Sequence, residues 1–234
     1  MNKEKIILLI VTILIIYMVV FSQLKNRSRI NNQLDISFNN NISRLLNDTL
    51  VNKLLIQNMQ FDKNESILTL DLKKIEDFLE IQPEILNAEV YLLPDGKLKT
   101  KIFERRPIIR MHQDGFYLDE HGVKIPLSKN HIYKVPIFSD SFKNQNIDEI
   151  IYLTKIMSSD IFFKNEFSEM WIENNQYYMR FRNFDFNILW GDNTKTYEKL
   201  KKLKAFCIFI QNDSLDVSPK KIDLSIESQI VATD

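Results

Sequence analysis

Apolar residues run almost unbroken from Ile6 to Phe21, softened only by Thr12 and Tyr17. Extended to Leu24, the run covers about 28 Å as a helix at ~1.5 Å per residue, close to the ~30 Å hydrocarbon thickness of a bilayer. It has no polar face, which argues against a buried helix of a soluble core. The pattern predicts a short cytoplasmic tail over 1–5, a transmembrane helix over 6–24 and a polar, basic linker over 25–33. The other reading is a cleaved signal peptide with a weak small-residue site at Val20-Phe21-Ser22, although the run is long for one. Lys3 and Lys5 precede the run, whereas Lys25, Arg27 and Arg29 come after it. That count leans slightly against an external carboxyl-terminal domain, and the amino tail is too short to settle the orientation.

Beyond the linker the periods alternate between two and about 3.6. Leu34, Ile36 and Phe38 alternate as in a half-buried strand, and residues 48–59 carry Leu50, Val51, Leu54 and Leu55 at helical spacing. Asp71 is placed to cap a helix carrying Leu72, Ile75, Phe78 and Leu79, which stops before Pro83. Residues 85–93 read as a strand, Pro94-Asp95-Gly96 as a turn, and 97–104 as a second strand. In that strand Leu98, Thr100 and Ile102 share one face, and Lys97, Lys99 and Lys101 share the other. The order strand, helix, helix, strand, strand suits a small α+β unit.

From Pro107 onward short strands are split by turns: 108–112, 116–118, 123–125 and an edge or irregular strand over 133–138 that contains Pro136. A helix is predicted over 146–158, then a meander of strands over 167–172, 177–182 and 186–190. A helix over 194–210 turns Tyr197, Leu200, Leu203 and Phe206 or Cys207 inward and Lys199 and Lys202 outward. Extended segments at 222–226 and 230–231 close the chain. Phe162, Phe163 and Trp171 read as core residues.

Charge and chemistry narrow the function. Lys+Arg and Asp+Glu are 31 each, which makes the chain a poor general binder of nucleic acid. Four glycines leave little for phosphate-cradling loops, and no nucleotide-binding glycine motif is present. The single cysteine, Cys207, reads as a buried small hydrophobe. His112, His121 and His131 each lie near a turn, and Asp119-Glu120-His121-Gly122 has no spaced second cluster that could complete a metal site. Ser128 and Ser139 lack a nucleophile-elbow context. No catalytic residue, cofactor, metal or small-molecule substrate is expected, so the chain reads as a non-enzyme. The basic run Lys97, Lys99, Lys101, Arg105, Arg106 and Arg110 reads as a solvated face with a charged junction. The alternative reading of that run is a surface for an acidic partner or anionic headgroups.

Ile102-Phe103-Glu104-Arg105-Arg106-Pro107-Ile108, followed by Phe116-Tyr117-Leu118-Asp119 and Gly122-Val123, resembles the domain junction of the FtsQ/DivIB family of bacterial cell-division proteins. Leu189-Trp190-Gly191 before a helix and Ile222-Asp223-Leu224 before Gln229-Ile230-Val231 agree in order. Ala88-Glu89-Val90-Tyr91, Pro126-Leu127-Ser128 and Val135-Pro136-Ile137 are similar to the short Bacteroidetes form of the family. The family's basic-aromatic pair and glycine after the terminal I/V-D-L are replaced here by Ser225-Ile226 and Gln229.

The resemblance implies an α+β chain: the transmembrane helix, a POTRA domain (β-α-α-β-β) over 34–104, and a mostly antiparallel β domain with flanking helices over 105–234. It implies a divisome scaffold in the inner membrane, with its bulk in the periplasm and concentrated at the septum. Partners would be coiled-coil division proteins of the FtsB/DivIC and FtsL types and, through them, septal peptidoglycan synthesis machinery. The implied contact is strand addition at the carboxyl-terminal border, with Ile222, Leu224, Ser225, Ile226, Ile230 and Val231 at or beside it. Glu104, Arg105, Arg106 and Pro107 form the implied domain junction. The competing reading is a POTRA-type docking module of an envelope export or assembly machine.

Overall fold

The computed structural model describes residues 3–27, 34–38, 45–59, 71–94, 97–128, 131–141, 146–212, 219–227 and 229–233. Two compact units divide the chain at Met1–Glu104 and Arg105–Asp234. Helix α1 (Lys3–Arg27) absorbs the start of the expected linker, most of which lies outside the described residues. Its stretch Lys5–Leu24 has a mean hydropathy of 2.7 and buries none of it, compatible with one membrane span by length and composition.

In the first unit, β1 (Leu34–Phe38), α2 (Asp48–Met59), α3 (Leu72–Glu80), β2 (Ile85–Leu92) and β3 (Leu98–Glu104) keep the expected order. The sheet order is β1-β3-β2, with β3 central, parallel to β1 and antiparallel to β2. Asp71 caps α3 by accepting from Lys74 N–H at 3.3 Å. This fixes the turn that aims Ile75 and Leu79 at the sheet, where both are fully buried. They meet Val51 and Leu55 of α2, Ala88 and Val90 of β2, and Leu98 and Ile102 of β3 in one core. Fully burying an aliphatic side chain contributes ~1.5–3 kcal/mol, so this short alternating pattern suffices to hold helices on the sheet. The tip of the β2–β3 hairpin at Asp95-Gly96 lies outside the described residues.

The second unit contains β4 (Pro107–Met111), β5 (Phe116–Asp119), β6 (Lys124–Pro126), β7 (Ile137–Phe138), α4 (Ile147–Ser159) and α5 (Ile161–Glu166). It continues through β8 (Phe167–Glu173), β9 (Gln176–Phe181), β10 (Asn187–Gly191), α6 (Thr196–Asn212), β11 (Lys221–Asp223) and β12 (Val231–Thr233). One nine-stranded sheet has the order β12-β11-β10-β9-β8-β7-β4-β5-β6. The fold is therefore α+β with a mostly antiparallel but mixed sheet, in which β7 runs parallel to both β4 and β8, and β10 parallel to β11.

Pairing puts Met170, Met179, Ile188 and Ile222 in one cross-sheet row, each fully buried. They share a core with Ile150, Leu153 and Met157 of α4, Phe163 of α5, and Leu203 and Cys207 of α6. The neighbouring row, Trp171, Tyr178, Leu189, Asp223 and Val231, faces the other way. There Trp171 stacks on Tyr178 at 5.6 Å between centroids, with the Arg180 guanidinium 5.4 Å from the indole.

Three expectations are corrected, and one helix is additional. Trp171 lies on the outer face, not in the core. Pro136 precedes β7, and β7 is interior: the Pro136 carbonyl still accepts from Arg110 N–H at 2.9 Å, so the ladder with β4 starts at the proline despite its missing donor. Helix α5 was not anticipated, although Asp160 caps it by accepting from Phe162 N–H at 2.8 Å. On α6, Leu203 and Cys207 are fully buried as expected, whereas Tyr197 is 78% exposed and Lys199 is only 5% exposed, so the inward face differs in the first turn.

Candidate partner-binding edge

The carboxyl-terminal border is built from the end of β10, the start of α6 and the last two strands. Gly191 begins it. Its φ is +77°, and a Cβ there would sit 3.0 Å from the Ser225 Cβ. Only glycine lets the chain turn left-handed while the 224–225 backbone passes this close. Asp192 then organises the entry to α6. Its Oδ1 accepts from Thr194 N–H at 3.1 Å, Thr194 Oγ1 at 2.6 Å and Lys199 Nζ at 3.0 Å. The Thr194 hydroxyl first, then Lys199, hold its carboxyl down at about 2. Lys199 also donates to the Asp192 carbonyl at 2.8 Å and places its ammonium 5.6 Å from the Trp190 ring centroid. A buried ammonium is tolerated here because a carboxylate, a carbonyl and a π face all meet it.

The other wall is the turn between β11 and β12. Leu224 N–H donates to the Leu189 carbonyl at 2.9 Å, extending the β10–β11 pairing by one residue. Asp223 Oδ1 accepts from Ser225 N–H at 2.8 Å and Ser225 Oγ at 2.6 Å, an Asx-type reversal. Helix α6 grips the next two residues of the turn. Lys202 Nζ donates to the carbonyls of Ile226 at 3.3 Å and Glu227 at 2.8 Å, and Lys195 pairs with the Glu227 carboxylate. A cavity of ≈ 130 Å³ remains between the first turns of α6 and residues 224–227, lined mainly by Lys195, Lys199, Lys202, Ser225 and Glu227.

Outside this turn lies β12. It pairs antiparallel with β11 through Val231↔Asp223, Ala232↔Ile222 and Thr233↔Lys221. Nothing among the described residues pairs with its outer side. The border strand is thus the second of the two extended segments that the sequence reading placed at or beside it. Ile222 and Leu224 are fully buried. Ser225 and Ile226 lie in the turn, and Ile226 is 40% exposed. Ile230 packs partly against the core just before β12. Of the six expected residues only Val231 lies on the border strand itself. The physical reason is the Asp223–Ser225 reversal, which folds the last residues back onto β11. Ala232, Thr233 and the lysines of α6 were missed as border residues. The Asp223-x-Ser225 spacing was the available signal, because an Asx acceptor two residues before a serine favours a chain reversal.

The junction residues anchor their own units. Glu104, buried at the end of β3, accepts from Leu46 N–H at 2.8 Å. Arg105 donates to Asp119 Oδ2 at 3.0 Å, with both side chains largely buried. Asp119 Oδ1 meanwhile accepts from His121 and Val123 N–H at 2.9 and 2.8 Å and so closes the turn that holds Gly122. Pro107 opens β4, where a strand tolerates a missing donor. Among the described residues no group of three or more His, Cys, Asp or Glu is arranged to hold a metal ion. Cys207 is buried, and desolvation with the nearby Glu166 charge pushes its thiol up to about 12, so it remains protonated at neutral pH.

These features define an α+β protein with an apolar amino-terminal helix and a second unit that ends in a sheet border. Residues 106–233, more than half of the chain, match the family described as FtsQ/DivIB, C-terminal related. The chain belongs to that family, which gives it a role in cell division and protein partners within the division complex; the family's members are non-enzymatic. No curated protein matches the chain.

Proposed function

We propose that the protein is a non-enzymatic scaffold of the division septum that recruits other division proteins by lending them the border at β12. Residues 6–24 hold it in the cytoplasmic membrane, and residues 34–104 and 105–234 act outside the cytoplasm. The β-α-α-β-β order and the β1-β3-β2 sheet support a POTRA-type assignment of the first unit. The partners are coiled-coil proteins of the FtsB/DivIC and FtsL types, and through them the septal peptidoglycan synthesis machinery.

The single observation that carries this reading is an outer strand, near the carboxyl end of a chain of this family, with which no other described residue pairs on the far side. Such a strand has backbone donors and acceptors on its outer side, and an added strand satisfies them. The outer row that ends at Val231 offers side-chain contacts beside it.

The test is proline scanning of β12 in the full-length, membrane-inserted protein. Val231→Pro or Ala232→Pro removes one backbone donor. At whichever position that donor faces outward, co-purification of the coiled-coil partner falls roughly tenfold or more while the fold persists. Unchanged recovery of the partner with both variants rules the border out as the contact.

A further inference from the structure

The three-stranded sheet also has a border at β2, and that border is occupied. Val90 N–H donates to Glu76 Oε1 at 2.9 Å, and Ala88 N–H donates to Glu80 Oε1 at 3.2 Å. Both carboxylates belong to α3, and the Ala88 and Val90 side chains share the core beneath that helix. The spacing explains the match. Residues four apart on a helix rise about 6 Å, and residues two apart on a strand advance about 6.7 Å. Glu76 meets Val90 and Glu80 meets Ala88, so helix and strand run in opposite directions. The two carboxylate oxygens fall where a neighbouring strand would present alternate carbonyls. Lys73 steadies the helix side, with its Nζ 3.6 Å from Glu76 and 3.0 Å from Asp77.

We propose that Glu76 and Glu80 stand in for a missing fourth strand and keep β2 shut to other chains. The chain they exclude is a second copy of β2. This strand is eight residues long, contains no proline and leaves Leu86 49% and Tyr91 39% exposed. A long strand edge with apolar flanks is an association hazard unless it is covered. Two copies meeting antiparallel about a two-fold axis would be self-complementary, with Glu89 of each copy on the axis between Ala88 and Val90. The inference is independent of what β12 binds.

A Glu89→Cys reporter in the full chain in lipid nanodiscs tests it, because Cys207 is buried and silent. Amide exchange at residues 88 and 90 is read alongside disulfide dimer formation. With Glu76 and Glu80 intact, both amides exchange slowly and no dimer forms. In Glu76→Ala/Glu80→Ala both amides exchange roughly tenfold faster and the reporter crosslinks. Glu76→Gln/Glu80→Gln keeps its acceptor oxygens and behaves like the parent. Alanine is the stronger helix former, so α3 persists. Glu76→Ala alone then speeds Val90 and leaves Ala88 slow, which separates local opening from unfolding. Crosslinking of equal strength with both glutamates intact overturns the proposal. So do unchanged exchange in the double alanine variant, fast exchange without crosslinking, and loss of Ala88 protection in the single variant.

Discussion

The nine-stranded sheet has two borders, and their chemistry is opposite. β6 reads Lys-Ile-Pro: Pro126 has no backbone donor, and Lys124 carries a charge with its Nζ 5.1 Å from the Phe116 ring centroid. β12 reads Val-Ala-Thr, with neither proline nor charge. Edge lysines and prolines discourage strand addition. The sheet thus blunts one border and leaves the other plain. The first unit adds a third solution, in which helix carboxylates cover β2. The lesson is that an uncovered border is not simply what remains when a sheet stops growing, because this chain blunts β6 and covers β2 by separate means.

That contrast can be broken in several ways. The largest expected effect separates β11 from β12. Ile222→Ala empties part of the inner row and lowers stability by ~2–5 kcal/mol, read as a shift in the denaturation midpoint of the full chain in detergent. A normal midpoint with lost partner binding would place Ile222 at the surface instead. The proline scan of β12 comes next, because there the loss falls on binding. A smaller effect is expected at the opposite border. Pro126→Thr restores a donor on β6, and weak self-association appears in sedimentation at high concentration; partner binding at β12 stays unchanged. If Pro126→Thr produced no association at any concentration, the proline would not be what blunts that border.

The smallest effect is acid sensitivity of the turn beside β12. The Asp192 carboxyl is held down at about 2, from an ordinary 3.8, by Thr194 and then Lys199. A carboxyl with a lowered folded-state value stabilises fully above its unfolded value and loses that contribution as pH falls through its folded one. Protection of the first turn of α6 therefore declines between about pH 4 and pH 2. The side chain is 69% exposed, so solvent screening keeps the change modest. Asp192→Asn should exchange faster at neutral pH and lose the added sensitivity in that window. An unchanged pH profile in the variant would remove Asp192 from the clasp.

Much of this was legible from periodicity, and the misses share a cause. The alternation of Leu98, Thr100 and Ile102 and the capped run after Asp71 each report a single buried face, so local pattern located β3 and α3. Only the first turn of α6 departs from the pattern, because Lys199 is buried for a tertiary reason: Asp192, the Gly191 turn and the Trp190 ring converge on its ammonium. A lysine in a helical pattern carries no mark of that. Trp171 was misplaced for the converse reason, since its stack with Tyr178 and Arg180 shelters it on the outer face. The extent of the border strand was not legible beyond Val231, because three residues are too short to show a period. Ile222 and Ile226 looked like one strand until the Asp223 carboxylate turned the chain between them. Residues without a local period, such as Ala232 and Thr233, become visible only through register.

Three residues of β12 span only about 10 Å. An incoming chain can zip along that distance for two or three backbone bonds and no more, at ~0.5–1.5 kcal/mol each. So short a seam cannot by itself select one polypeptide from many. Discrimination would then fall to flanking side chains, on the half-buried outer-face residues Val231, Asp223, Tyr178 and Trp171 and on the lysine-lined turn at its other flank. If a partner adds to β12 as proposed, the brevity of that strand makes the partner a composite ligand, with a brief extended segment for attachment and neighbouring residues for identity.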